Sequence, residues 1–510
     1  MIVVLSALLR KVLVAFIKAH PIANSLLAAT LMGVLLALTF PPSPLGWLAA
    51  VPLAWLFVRI KHSSVRRTFQ ETWWFACGLF GTLLLWLHAS LMGLLGVGII
   101  ALYPFLVGLL AGLWAVTLTL TRALAGRFVL LALPFALTLL DTLRETGALG
   151  FTWGNLGYTL ALTPLVQVAE LGGVSLLGLL VGLSASALAS RRRALMGLTS
   201  AAWLAALSFG LTRPAMPEPN RTALLIQGNV DPREKVVGQT AQDWSRYLAL
   251  TGRGLAEREA DIVVWPETAV SWGAGITDQA GLQAIHVPVL LGAALSDPRP
   301  RNSVLLTQEG RLLGKQDKVK LVPFGEFFPG SRLLGPLYQA IFRMMGLPQL
   351  TGREPGQGMA PVVSGDLRFG TLICYESTFP VLARVLVREG ANVLVTPSND
   401  AWFGSSMGAE QHFQMGRVRA IETRRWWLRV GNDGVTAAVN PQGVVTQRLP
   451  RFMAASLAVK FAPVNVETWG VRLGDAGPWL TAVVLLLIAV VAARERRQGP
   501  PSHDKRPEGC

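Results

Sequence analysis

The stretch Leu367-Arg-Phe-Gly-Thr-Leu-Ile-Cys374-Tyr-Glu376 runs apolar into Cys-Tyr-Glu, and the pattern then breaks at Pro380. A short apolar run bounded in this way reads as a buried strand. Cys374 is therefore predicted to close a strand over 369–375, at the rim where layered folds present their functional groups. Two other segments end alike: Asp261-Ile-Val-Val-Trp-Pro-Glu267, and Lys318-Val-Lys-Leu-Val-Pro-Phe-Gly-Glu326. A carboxylate, an ammonium and a thiol, each beside an apolar run, are the parts of an acyl-transfer site.

Outward from this region the chain changes character. Of its 510 residues, 52% are hydrophobic and only 15% charged, with mean hydropathy +0.46. Because roughly 20 apolar residues cross a bilayer, about eight spans are expected. They lie near 22–40, 45–60, 72–96, 98–122, 128–145, 165–189, 194–212 and 478–494. The expected organisation is a membrane domain over 1–212, a globular catalytic domain over 213–477, a last span over 478–494 and a disordered tail over 495–510. Residues 1–20 are apolar but carry Arg10, Lys11 and Lys18 without a small-residue cleavage site, so they read as an uncleaved segment.

Positive charge predicts the orientation. With the N-terminus inside, Arg59, Lys61, Arg66, Arg67, Arg122, Arg127, Arg191 to Arg193 and the basic tail from Arg494 all fall on the cytoplasmic side. The short loops opposite contain only Arg144. Residues 213–477 are thus expected outside the cytoplasm, in the periplasm. The same asymmetry accounts for the net charge of +16, which sits in orienting loops, so nucleic acid is not expected as a partner. Cys77 lies in the third span and Cys510 ends the chain, so neither can pair with Cys374. A lone thiol there is either an apolar filler or a nucleophile.

Within the globular part, strands are expected at 222–230, 261–265, 287–295, 302–307, 369–375, 392–397 and 435–440. Helices are expected at 242–260, 379–389 and 411–425. Their alternation argues for an α/β layered fold. The segment 333–348 is almost wholly apolar, with Arg343 its one charge. It is a core helix or an arm leaning on the bilayer, with Phe342 and Met345 as candidate substrate contacts.

The chemistry follows from residue type. The thiolate of Cys374 would be the nucleophile, and Glu267 could take its proton if a dry pocket raised the carboxyl pKa. Lys318 and the Tyr375 N–H could hold a tetrahedral oxyanion. Glu267 could equally be a turn carboxylate, Lys318 part of a solvated basic loop with Lys315 and Lys320, and Glu326 and Glu376 plain ion-pair partners. A Cys–His pair with His412 or His286 would leave the Glu and Lys segments unexplained. No metal or nucleotide motif occurs, so no cofactor is expected.

Taken jointly, Trp265-Pro266-Glu267, Lys318 with Leu321-Val-Pro-Phe-Gly-Glu326, and Cys374-Tyr375-Glu376 resemble the carbon–nitrogen hydrolase (nitrilase) superfamily over about 222–445. That resemblance implies an αββα sandwich with a Glu-Lys-Cys triad, Glu326 helping to position the lysine. A more specific likeness is to the apolipoprotein N-acyltransferase family. It rests on Ser398-Asn399-Asp-Ala-Trp402-Phe-Gly404, Gln411-His-Phe-Gln-Met415, Arg419-Ala-Ile-Glu422, Asn440-Pro-Gln-Gly443 and the loop Gly150-Phe-Thr-Trp153-Gly-Asn-Leu-Gly-Tyr158. The chain departs from the superfamily pattern at Lys320, often histidine, and at Arg424-Arg425-Trp426-Trp427, where a proline often follows the arginine.

The resemblance implies acyl transfer from a membrane phospholipid to the N-terminal amine of an S-diacylglyceryl apolipoprotein, by a monomer in the bacterial inner membrane. Trp153, Asn399 and Trp402 then become candidate substrate contacts. A membrane-tethered amidase and an inactive membrane scaffold are the alternatives.

Overall fold

The computed structural model describes residues 21–88, 90, 99–214, 217–231, 241–272, 280–296, 299–344, 352–474 and 476–498. The expectations for residues 1–20, for Met345 and for the end of the tail lie outside these residues. The first half is helical: α1 (Pro21–Ala37), α2 (Ala50–His62), α3 (Val65–Leu83), α4 (Ile99–Ala125), α5 (Val129–Arg144), α6 (Ala169–Ser190) and α7 (Arg193–Leu211). Among the described residues, five stretches are long and apolar enough to cross a membrane: Pro44–His62, Leu102–Arg144, Pro164–Ser190, Arg193–Leu211 and Ala476–Gln498. Leu102–Arg144 contains most of α4 and all of α5. Helix α3 is not among the five because Arg66, Arg67 and Glu71 dilute its apolar run. Glu71 is fully buried and paired with Arg67 at 2.9 Å. Leucines such as Leu31, Leu198 and Leu204 stand on the outside of the bundle, where a lipid-facing helix carries its apolar side chains.

Helix α6 is broken near its start. Gly173 has φ 69° and ψ −172°, a conformation that suits a residue without Cβ. The freed Val174 N–H donates to Glu422 Oε1 at 2.8 Å, so a carboxylate from the second half of the chain caps a helix of the first.

The second half is a two-sheet sandwich. One sheet runs β13 (Ala455–Phe461), β1 (Arg221–Gln227), β2 (Ile262–Val264), β4 (Val289–Leu295), β5 (Arg301–Gln308), β6 (Arg311–Asp317), with β3 (Val270–Trp272) pairing β4. The other runs β12 (Val445–Arg448), β11 (Ala437–Val439), β10 (Trp426–Gly431), β9 (Val393–Ser398), β8 (Leu367–Thr371), β7 (Val362–Ser364). Alternation assigns the faces. Ala223, Leu225, Ile262, Val264, Val304 and Leu306 meet Phe369, Val393, Val395, Leu428 and Val430 between the sheets. The opposite faces carry helices. Leu224, Ile226 and Trp265 pack with Tyr247 and Leu250 of α8 (Ala241–Glu257). Leu394 and Trp427 pack with Leu386 of α10 (Pro380–Arg388) and Phe413 of α11 (Gly408–Thr423). This is an αββα sandwich joined to a helical membrane domain, the fold class expected.

Six strands were not anticipated: β3, β6, β7, β10, β12 and β13. Strand β10 is fully buried, yet its sequence, Trp-Trp-Leu-Arg-Val-Gly, has a charge near its centre. The strand at 369–375 stops at Thr371, because Cys374 turns the chain with φ 52° and opens a 3₁₀ turn. The apolar segment 333–348 is an exposed helix, α9 (Ser331–Met344). Leu333 is 84% exposed and Leu337 56%, which overturns the core alternative for these leucines. Phe342 lies in α9, but its side chain falls outside the description. The final helix, α12 (Ala476–Gln498), packs against α5 and α4.

Candidate active site

Three strand ends and one edge converge. Strand β2 ends at Val264. Trp265 still donates to Leu290 O at 2.9 Å, but Pro266 has no N–H, so the ladder stops and Glu267 turns inward. The crossing is close: a Cβ on Gly292 would lie 2.3 Å from Pro266 O and 2.7 Å from Glu267 Cα, so only glycine fits. Strand β6 pairs antiparallel with β5, Ser303 opposite Asp317. The Lys318 N–H then donates to Asn302 O at 2.8 Å, placing both side chains at one end of the sheet. On the second sheet, β8 delivers Cys374 and β9 delivers Asn399.

Lys318 is 1% exposed, so the solvated-loop reading does not hold. Its Nζ lies 2.9 Å from Glu267 Oε1 and 2.9 Å from Glu326 Oε2. Asn302 Nδ2 bridges the same two carboxylates, at 2.7 Å to Glu267 and 2.9 Å to Glu326. The Asn399 N–H donates to Glu267 Oε2 at 3.0 Å, and Val322 N–H to Glu326 Oε2 at 2.9 Å. The buried Cys374 thiol completes the group, close enough to feel the charges of Glu267 and Lys318.

The charges of this group are set by their neighbours. Burial pushes Glu267 up, but the Lys318 ammonium and the donors of Asn302 and Cys374 outweigh it, so the carboxyl sits below 4.5. Burial works against the Lys318 ammonium, yet Glu267 and Glu326 hold it above its usual 10.5. Burial, with Glu267 alongside, pushes the Cys374 thiol up to about 12. The resting state is a thiol beside a carboxylate. The expected rise in the Glu267 pKa does not occur, because a salt-bridged carboxylate is held in its charged form.

Glu376 has a different task. It is fully buried, accepting Val319 N–H at 2.7 Å, Lys320 N–H at 2.9 Å and Ile373 N–H at 2.8 Å. It therefore ties the lysine segment to the turn that carries Cys374. Burial pushes its carboxyl up to about 7 against these three donors. Tyr375 Oη donates to Gly150 O at 2.7 Å, and its ring lies 6.1 Å from Trp153, nearly parallel. Trp153 is buried and donates to Gln411 at 3.2 Å, which makes it packing between the two halves. Asn399 is buried too, its Oδ1 accepting from Asn432 at 3.2 Å, whereas Trp402 is 40% exposed on the turn after β9. Lys320 bonds Gly147 O and lies 4.6 Å from the Phe379 ring centroid, so the departure from histidine ties this segment to the membrane domain.

His412 Nε2 reaches the Cys374 carbonyl at 3.0 Å, and exposed His286 pairs with Glu309. Neither is placed as a base on the sulfur. Three further groups were not singled out from the sequence. Asn302 occupies the same face as Val304 and Leu306, and a polar residue on an otherwise apolar strand face was the available signal. Arg429 interrupts apolar β10 in the same way, and its Nη2 lies 2.7 Å from both oxygens of Asp400. Burial pushes Asp400 up, but Arg429 and His412 hold it well below the usual carboxylate range.

The family described as carbon–nitrogen hydrolase matches residues 225–470, and the apolipoprotein N-acyltransferase N-terminal domain matches 32–187. Among solved structures, a carbon–nitrogen hydrolase from Helicobacter pylori G27 aligns with 51% of this chain and 92% of its own, at 14% identity and TM-score 0.35. An apolipoprotein N-acyltransferase of Geobacter metallireducens is 30% identical, covering 92% of this chain and 95% of its own. One of Azotobacter vinelandii is 33% identical, covering 93% and 96%. With that identity running through both the helical half and the sandwich, this chain belongs to the apolipoprotein N-acyltransferase family.

Proposed function

We propose that this protein moves a fatty acyl chain from a membrane phospholipid to the N-terminal α-amine of an S-diacylglyceryl apolipoprotein, through a thioester on Cys374. The observation that carries the reading is the placement of Cys374. It sits on a left-handed turn against the Glu267–Lys318 pair, with its neighbour Tyr375 bonded to a loop of the membrane domain. Such a site takes an acyl group carried in the bilayer.

In the first step Glu267 accepts the thiol proton as sulfur attacks the ester carbonyl carbon. A thiol at about 12 is not ionised at rest, so proton loss and S–C bond formation proceed together. Lys318 and the Tyr375 N–H hold the oxyanion. The tetrahedral adduct expels the lysophospholipid alkoxide, which takes the proton back from Glu267 and leaves the thioester. In the second step the acceptor amine attacks the thioester carbon and gives its proton to Glu267. Collapse breaks the C–S bond, and the sulfur regains a proton from Glu267. Glu326 positions Lys318, and Glu376 fixes the turn. The catalytic domain faces the periplasm, in keeping with the basic cytoplasmic loops.

Incubating the protein with labelled phospholipid and no acceptor should give a hydroxylamine-sensitive label on Cys374, absent in C374A. An active wild type that carries no label under rapid quench, with kinetics requiring both substrates bound together, establishes direct transfer instead.

A further inference from the structure

Three buried side chains that the proposed proton transfers do not use converge on the main chain of the nucleophile. Asp400, His412 and Arg429 are at most 1% exposed. His412 Nε2 lies 3.0 Å from the Cys374 carbonyl oxygen, and Ser377 Oγ donates to the same oxygen at 2.8 Å. The other ring nitrogen, Nδ1, lies 3.1 Å from Arg429 Nη2 and 3.2 Å from Asp400 Oδ1. Trp153 and Phe403 flank the ring, with centroids at 6.1 and 5.7 Å.

Ser377 Oγ also lies 3.2 Å from Nε2, and because its one proton goes to Cys374 O it faces the ring as an acceptor, so it and Arg429 favour the same tautomer. A guanidinium N–H can only donate, so the lone pair of His412 belongs on Nδ1 and the proton on Nε2. The opposite tautomer would set the Nε2 lone pair against the carbonyl oxygen and an N–H against Arg429. Asp400 is satisfied without the ring, accepting from Arg429, Ser398 Oγ at 2.9 Å and the Val435 N–H at 3.1 Å. The Arg429–Asp400 pair thus orients His412, and His412 donates to Cys374 O.

The consequence lies in the peptide between Cys374 and Tyr375. It is trans, so its C=O and its N–H point in opposite directions from one plane. Holding the carbonyl from one side fixes the N–H on the other. Among the described residues no main-chain acceptor takes up the Tyr375 N–H.

We propose that His412 is a positioning residue for the oxyanion site, locking the Cys374–Tyr375 peptide so that the Tyr375 N–H faces the reacting acyl oxygen. This rests on the thioester reading above. His412 never touches sulfur or substrate; it acts through a carbonyl.

The test compares two reactions of Cys374 in the full-length protein in phospholipid–detergent micelles. Acylation by labelled phospholipid develops an oxyanion, whereas alkylation by iodoacetamide displaces iodide from a tetrahedral carbon and does not. H412F should acylate about 10²-fold more slowly, with unchanged KM for phospholipid and unchanged alkylation. H412Q, whose amide nitrogen takes the place of Nε2, should recover most of the rate. Equal slowing of both reactions in H412F, no slowing of either, or an H412Q as slow as H412F overturns the proposal. Where H412F does not fold, S377A carries the test: acylation about tenfold slower at constant alkylation supports the carbonyl lock, and loss of both together refutes it. A wild type that forms no thioester defeats the underlying reading instead, which separates the two failures.

Discussion

Lys318 is the residue on which the two carboxylates of the site depend. Its ammonium is shared between Glu267 and Glu326, so K318M leaves two acidic groups buried around a methyl. Losing one partner of a buried pair costs about 3–5 kcal/mol, and thermal melting should record it. Activity should fall by at least ~10²–10³-fold, as for removal of one oxyanion donor. The pH profile gives a signed check. In the wild type the Lys318 ammonium holds Glu267 below the ordinary carboxylate value, so its acid limb lies on the acid side of an ordinary glutamate and the base is ionised above it. In K318M burial is opposed only by the remaining neutral donors, and the residual activity should show that limb moved upward. A wild-type acid limb near pH 7 would point to Glu376, whose carboxyl stands at about 7, and not to Glu267. Glu267, Lys318, Cys374, Glu326 and Glu376 were legible in the sequence as candidates because each lies beside an apolar run. Asn302 and Arg429 were hidden because each belongs to a strand and bonds residues remote in sequence.

At the scale of elements, α9 and the break in α6 set the relation to lipid and to the membrane domain. Helix α9 exposes Leu333, Leu334 and Leu337, a surface that suits an acyl phase better than water. Replacing the three leucines with serine should raise KM for phospholipid while the melting temperature holds. Lowered melting with unchanged KM would return them to a structural role. The break in α6 is capped by Glu422, which also lies 3.1 Å from Arg419. E422A removes the cap and strands a buried guanidinium, a loss of about 3–5 kcal/mol. Limited proteolysis between the two halves and a lower melting temperature would report it. Helices α8, α10 and α11 were readable from periodicity to within a few residues. Strands β6, β12 and β13 were not, because edge and half-exposed strands lack a continuous apolar run.

The whole molecule is held together by contacts that span long sequence separations. Tyr158 Oη donates to Thr378 O at 3.1 Å, and Trp153 to Gln411. Glu170 receives Arg424 Nε at 2.8 Å and Arg213 Nη2 at 2.8 Å. The loop between α5 and α6 thereby touches the turn carrying Cys374 and the helix behind it, which seats the sandwich on the membrane domain. Orientation in the bilayer is testable at the same scale. Single cysteines placed near Arg213 should react with a membrane-impermeant maleimide from the periplasmic side, and cysteines beside Arg192 only after permeabilisation. The reverse pattern would defeat the periplasmic assignment and the lipoprotein reading with it.

By itself the sequence determined what is local: hydrophobic runs long enough for a bilayer, a charge bias along them from which an orientation is expected, and candidate site residues placed beside apolar segments. These depend on solvent preference and on neighbours a few positions away. Only the tertiary structure decided the ionisation of the site, the left-handed turn at Cys374, the Asn302 bridge and the Glu422 cap. Each arises where groups far apart in the chain are brought within hydrogen-bonding distance in a dry interior. There one neighbouring charge outweighs the intrinsic preference of the side chain.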